Sequence, residues 1–269
     1  MSAPDPTAPS ASDVERLGPW GALAADAEST PSPDPAPAPQ SPRSLASELG
    51  WGLVSTAALA LFLGLQWGWV RAAAGVLGVF VHEFGHLAAI NGLGCGPGRI
   101  QIIPFFGGAA SMRRAPDTEF KSVLIALAGP IAGLAAAIPF WGLYVVTRDA
   151  RWLQGVVFIG GLNLLNLLPA PPLDGAKALG PALAWIHPTV ERGAMMFLGG
   201  IGVYLAVRFG QPLIAAFVGI GAAQAVLGRV PRAPAKRMSI LQWLAALVLW
   251  AGAFVLCATV TYAAWPRQA

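Results

Sequence analysis

The sequence predicts an all-α polytopic membrane protein of about six to seven transmembrane helices, with a short membrane-associated β-like loop. Three observations predict it. The 269 residues are 55% hydrophobic and only 11% charged, with mean hydropathy +0.60, against about 25% charged in an ordinary soluble domain. From Leu45 onward, apolar stretches of membrane-crossing length follow one another; a crossing needs roughly 20 residues. The basic residues of the intervening segments fall unequally on alternate sides, as they do around membrane spans.

Residues 1–43 differ from the rest. They hold ten of the 24 prolines and six acids against two arginines, a net of −4, whereas the remaining 15 basic and seven acidic residues give +8. The run Pro31–Pro39, with proline at every second position, cannot form helix or sheet interior. This segment is expected to be a disordered, solvated tail. No apolar core follows a basic start there, so the first span is expected to do its own targeting. The basic excess further on is of the membrane-flanking kind, and no basic patch interleaved with aromatics suggests nucleic acid. Cys95 and Cys257 lie far apart beside apolar residues and are expected to be small buried side chains.

The candidate spans are 45–66, 70–94, 120–146, 152–169, 193–209, 211–228 and 240–264. The first two are nearly continuous, so Gln66–Trp69 must turn tightly. The fourth to sixth are short and Gly-rich, which leaves re-entrant segments open. With the N-terminus cytoplasmic and all seven crossing, twelve Lys and Arg fall on the cytoplasmic side and five on the other. That bias supports N-terminus inside. In the 95–119 loop, Ile100–Met112 reads as extended pieces around a glycine turn at Gly107 and Gly108. Apolar extended backbone beside a membrane needs hydrogen-bond partners, so this loop is expected to lie against the helices. The domain plan is therefore a tail (1–43), a first transmembrane helix (44–69), a core (70–180) and further C-terminal helices (181–269).

Two of the three histidines fall in His82-Glu83-Phe84-Gly85-His86. On a helix, residues i and i+4 share a face, so both imidazoles can reach one metal while Glu83 addresses a water beside it. Ionisable groups within a span are costly and usually functional. Zinc takes a third protein ligand and leaves a position open. Outside the tail the acids are few, and Asp174 stands apart: it follows the fourth span in Asn163-Leu-Leu-Asn166-Leu-Leu-Pro169-Ala-Pro-Pro-Leu-Asp174-Gly175, where three prolines break the helix and Gly175 permits a turn. His187, before Pro188, reads as a loop residue. His82 and His86 lie about 18 and 24 Å into the second span at 1.5 Å per residue, toward the side on which the fourth span exits. A transporter with intramembrane charges, and a metal-stabilised scaffold, remain open readings at this point.

His82-Glu83-Phe84-Gly85-His86 on a membrane helix, Leu-Ala-Gly129-Pro130 in a later span, Asn166-Leu-Leu-Pro-Ala-Pro-Pro-Leu-Asp174-Gly175, and Phe106-Gly107-Gly108 between them together resemble the site-2 protease family of intramembrane metalloproteases. The likeness covers residues 70–180. It implies a three-helix catalytic core from spans two to four, one Zn2+ held by His82, His86 and Asp174, and Glu83 as the catalytic base. It also implies that Asn166 contacts substrate or intermediate, whereas Asn163 has no counterpart in the motif and is expected to pack; Gly107 and Gly108 are candidate contacts because the 100–112 loop offers a strand edge to an unwound substrate. The implied partners are the lipid bilayer and membrane-protein substrates cut in or near a transmembrane segment, with no nucleic acid. The Arg-over-Lys, Ala- and Pro-rich composition points to a bacterium with a GC-rich genome, so the expected location is a bacterial inner membrane, as a multi-pass protein. No soluble peptide-binding domain is inserted between the motifs, and the likeness is silent on the last spans, the tail and the oligomeric state.

Overall fold

The structure is a computed structural model that describes residues 45–103, 107–227 and 235–265; the expected tail lies outside them. Helix α1 (Leu45–Trp67) and α2 (Trp69–Gly92) are joined by Gly68 alone. Its φ of 88° is open to glycine at little steric cost, which is how the turn expected at Gln66–Trp69 is made. A two-stranded antiparallel hairpin, β1 (Arg99–Ile103) and β2 (Gly107–Ser111), follows and packs against α1 and α2.

The third span comprises α3 (Glu119–Gly133), one 3-10 turn (Leu134–Ala136) and α4 (Ala137–Thr147). Pro130 lies inside α3 and removes one helical N–H. After a turn at Arg148, α5 (Arg151–Asn166) returns. Next come α6 (Asp174–Ile186), α7 (Pro188–Arg208), α8 (Pro212–Val226) and α9 (Ile240–Ala264). Five helical segments are long and apolar enough to cross a membrane: 50–67, 69–92, 119–147, 188–208 and 240–264. The segments α5 and α8 are shorter, at 16 and 15 residues. The chain is an all-α multi-pass membrane protein, with one small hairpin among the described residues.

Two expectations change. The fourth span ends at Asn166, not 169, and the stretch after the prolines is the separate 13-residue helix α6. Pro181 and two glycines within that stretch mask its helical character in sequence. Secondly, Gly107 and Gly108 do not make the hairpin turn; they pair in β2 with Ile103 and Ile102.

Helix ends are tied across the bundle. The start of α3 meets the approach to α9 through an isolated parallel bridge, Thr118 with Lys236, and Met238 N–H donates to Glu119 Oε2 at 3.2 Å. Arg71 of α2, Gln154 of α5 and Trp265 after α9 line one cavity at the opposite end. This is the parity expected of spans that alternate in direction. The interior is small-residue packing, with Ala72, Ala74, Ala126, Ala136, Ala178 and Ala246 each 5% exposed or less. Such close backbone approach is what holds helices together where lipid removes the hydrophobic drive.

Candidate metal centre

Helix α2 has two faces. Phe80 and Phe84 point outward at 59% exposure each, while Gly75, Gly78, His82, Gly85 and His86 are buried. The i, i+4 spacing stacks the two imidazoles edge to face, with ring centroids 4.7 Å apart. Helix α3 crosses tightly beneath them. A Cβ at Gly85 would overlap the Ala128 carbonyl oxygen and lie 2.6 Å from Ala132 Cβ. A Cβ at Gly129 would overlap His86 Nε2 and lie 2.8 Å from His82 Nε2. Both glycines are therefore required by contact, and the floor under the histidines is bare backbone.

Asp174 arrives from the other direction as the first residue of α6, where the helix N-terminus favours a carboxylate. Gly175 behind it is not a turn residue. A Cβ there would overlap the carbonyl oxygens of Leu167 and Leu168, so its role is to let α6 begin directly against the broken end of α5. Asp174 Oδ2 lies 3.0 Å from His82 Nε2 and 3.1 Å from His86 Nε2, and the two Nε2 atoms are 3.1 Å apart. His82, His86 and Asp174 are all buried and form the one group of this kind among the described residues.

The remaining ring nitrogens fix the tautomers. His86 Nδ1 is 2.7 Å from the Ile125 carbonyl, which can only accept, so Nδ1 carries the proton. His82 Nδ1 is 2.9 Å from Asn163 Oδ1, and Asn163 Nδ2 donates to the Ile159 carbonyl at 2.9 Å. With its amide nitrogen committed to a carbonyl, Asn163 presents oxygen to His82 and again places the proton on Nδ1. Both Nε2 lone pairs thus face the Asp174 carboxylate. Tetrahedral zinc with bonds of about 2.0–2.1 Å holds its ligand atoms roughly 3.3 Å apart. Three converging acceptors at 3.0–3.1 Å, each imidazole held from behind, fit such an ion in spacing and donor chemistry.

Glu83 is 8% exposed, and its Oε2 is buried without a hydrogen-bond partner. A polar atom left so is costly, and here it lies next in sequence to a metal-type donor. Asn166 is half-buried and turns back onto its own helix, donating to the Leu162 carbonyl at 3.2 Å. It does not join the cluster. Gly107 and Gly108 stand in β2. His187 caps α7 by accepting from Thr189 N–H at 3.2 Å.

Asn163 is the correction to the expected packing role: fully buried, it holds His82. Its signal in sequence was an amide inside an apolar span, three residues ahead of an asparagine that matched a motif. Gly133 makes room for it, since a Cβ there would overlap Asn163 Oδ1.

No family model matches this chain. Among curated proteins it is similar to "Putative zinc metalloprotease Rip2" of Mycolicibacterium smegmatis, 39% identical over 97 residues, 34% of this chain and 36% of that one. It is similar to "Putative zinc metalloprotease sll0528" of Synechocystis sp., 28% identical over 160 residues (55% and 41%). It is also similar to "Putative zinc metalloprotease Rip3" of Mycobacterium tuberculosis, 28% identical over 174 residues (60% and 41%). The matched region spans about two fifths of the length of these relatives. They accord with the resemblance of the motifs to the site-2 protease family.

Proposed function

We propose that this chain is a zinc-dependent protease of the site-2 type, which hydrolyses peptide bonds in or near transmembrane segments of membrane-protein substrates in regulated proteolysis. The observation that carries the reading is the convergence of His82 Nε2, His86 Nε2 and Asp174 Oδ2 within 3.0–3.1 Å, beside a buried Glu83 oxygen without a partner. The named relatives support the metalloprotease class.

His82, His86 and Asp174 would hold the zinc, which would supply Lewis acidity toward water and the scissile carbonyl. The rest is the work of the chain. Ile125 and Asn163 hold both imidazoles in the tautomer that leaves Nε2 bare. Asp174 stands at the α6 N-terminus, where the helix end favours negative charge. Glu83 Oε2, free of other bonds, takes the proton of the attacking water and returns it to the leaving amine.

A helical substrate must unwind to expose its carbonyl, and an extended stretch then pairs with a strand edge. The β1–β2 hairpin, with Gly107 and Gly108 in it, is our candidate for that edge, and Asn166 for a contact to the unwound stretch. Residues 70–180 form the catalytic core in this reading, and the C-terminal helices surround it. With all seven segments crossing, the twelve-to-five distribution of basic residues supports a cytoplasmic N-terminus, and a bacterial inner membrane is the location in this reading.

The test is zinc content and cleavage of a model transmembrane substrate, for wild type and Glu83→Gln purified in detergent. About one zinc per chain in both, with cleavage in the wild type alone, is expected. Equal cleavage in both would overturn the role of Glu83. Absence of zinc from both would return the transporter and scaffold readings.

A further inference from the structure

Nothing in the motifs reaches α9, yet that helix touches the metal centre's support at several points. Residues 167–173, between α5 and α6, determine where Asp174 stands. Leu167 is their pivot. It is fully buried; its N–H donates to the Asn163 carbonyl at 3.2 Å; and its own carbonyl is the surface against which Gly175 packs. The histidine-holding residue and the neighbour of Asp174 thus meet at one residue, Leu167. A third group reaches the same carbonyl: Trp250 of α9 donates its indole N–H to Leu167 O at 3.1 Å.

The contact is repeated two helical turns earlier on the same face of α9. Trp243 Nε1 donates to the Ala182 carbonyl of α6 at 2.8 Å and stacks on Trp185, with ring centroids 5.3 Å apart. Trp185 in turn donates to Met238 O at 3.0 Å, and Arg237 donates to Trp185 O at 3.1 Å. Helix α8 also closes on the turn: a Cβ at Gly221 would overlap the Pro171 carbonyl oxygen. The segment leading to Asp174 thus meets two C-terminal helices, with directed bonds from one of them.

We propose that α9 is a positioning element of the metal centre: Trp250 and Trp243 hold the 167–173 turn and α6 where Asp174 Oδ2 meets both imidazoles, and so set the affinity for zinc. The proposal rests on the metal reading above and assigns work to a helix outside the resembling region. The experiment uses the full chain in detergent and reads the zinc dissociation constant by competition with a chromogenic chelator, together with Tm. Trp250→Phe keeps a ring against the turn and loses the N–H. Trp152→Phe is the control, an aromatic packed on Phe140 in a cluster away from the turn.

Loss of one hydrogen bond predicts zinc binding about threefold to tenfold weaker for Trp250→Phe, unchanged binding for Trp152→Phe, and a changed visible spectrum of the cobalt-substituted protein. On an Asp174→Ala background, Trp250→Phe should produce no further weakening. Wild-type zinc affinity in Trp250→Phe, or equal weakening with and without Asp174, would overturn the proposal and leave α9 a packing helix. If Trp250→Phe does not fold, Trp243→Phe carries the same test with the same expected direction. A His82→Ala chain that binds zinc as wild type does would overturn the metal reading itself.

Discussion

Asn163→Ala separates an amide that packs from one that holds a ligand. The side chain is fully buried and makes two bonds, accepting from His82 Nδ1 and donating to Ile159 O, both at 2.9 Å. Truncation leaves the His82 Nδ1–H without its partner at a buried position. An abandoned buried donor costs about 1–3 kcal/mol. The imidazole can escape that cost by moving its proton to Nε2 or rotating, and either removes Nε2 from the cluster. The cost therefore falls on metal binding: about 1–3 kcal/mol is roughly a fivefold to 150-fold loss of zinc affinity, in line with the 10–100-fold range of residues that orient metal ligands. Asn166→Ala is the matched comparison. It removes an amide one helical turn on, whose bond goes to Leu162 O, and zinc affinity should stay within about twofold of wild type, well inside a 1.4 kcal/mol, tenfold change. Chelator competition on the purified variants measures both. Wild-type zinc affinity in Asn163→Ala, or equal losses in the two variants, would refute the tautomer argument.

Gly129→Ala places a methyl against both Nε2 atoms and should abolish zinc retention on purification, whereas Gly142→Ala, with open space around its Cβ position, should retain it; elemental analysis of the two decides. Removing the metal by chelation should lower Tm by about 5–10 °C relative to protein held at a hundredfold excess of zinc over its dissociation constant, from about 2.7 kcal/mol of linkage at roughly 2–4 °C per kcal/mol; thermal melts in detergent read this directly. The Asp149 carboxyl is held below the ordinary carboxylate range chiefly by its hydrogen bond from Arg151. A depressed folded-state value contributes stability above the unfolded value, near 4, that is lost as pH falls through the folded one. Asp149→Asn should therefore melt slightly below wild type at pH 7, the gap closing under acid, with zinc content unchanged.

Much of the site was legible because its spacing is a property of one helix. His82 and His86 are neighbours on any α-helix, and Glu83 is fixed beside them. Asp174 was legible for another reason: among so few charges, an acid behind three prolines has little alternative. What the chain pattern hid was three-dimensional. Asn163 belongs to the site because Gly133 lacks a Cβ and α3 passes close by, a fact of helix crossing that no local pattern contains. Gly175 suggested a turn by type yet serves a close approach. Helix α6 was hidden by Pro181 and its glycines, which read as breakers until its packing against α3, α7 and α9 is seen. The indole bonds of α9 join residues 61 and 83 positions apart, beyond any periodicity.

The contact between Gly133 and Asn163 carries a consequence for how this sequence can drift. The space taken by the amide is the space a side chain at position 133 would need. A mutation that adds a Cβ at 133 is tolerable only after the amide has gone, and an asparagine at 163 can be gained only over a glycine. In homologous chains the two positions should change together, with the glycine arriving first in any lineage that acquires the pair. A chain carrying the asparagine opposite a bulky residue would need another group to orient its first histidine.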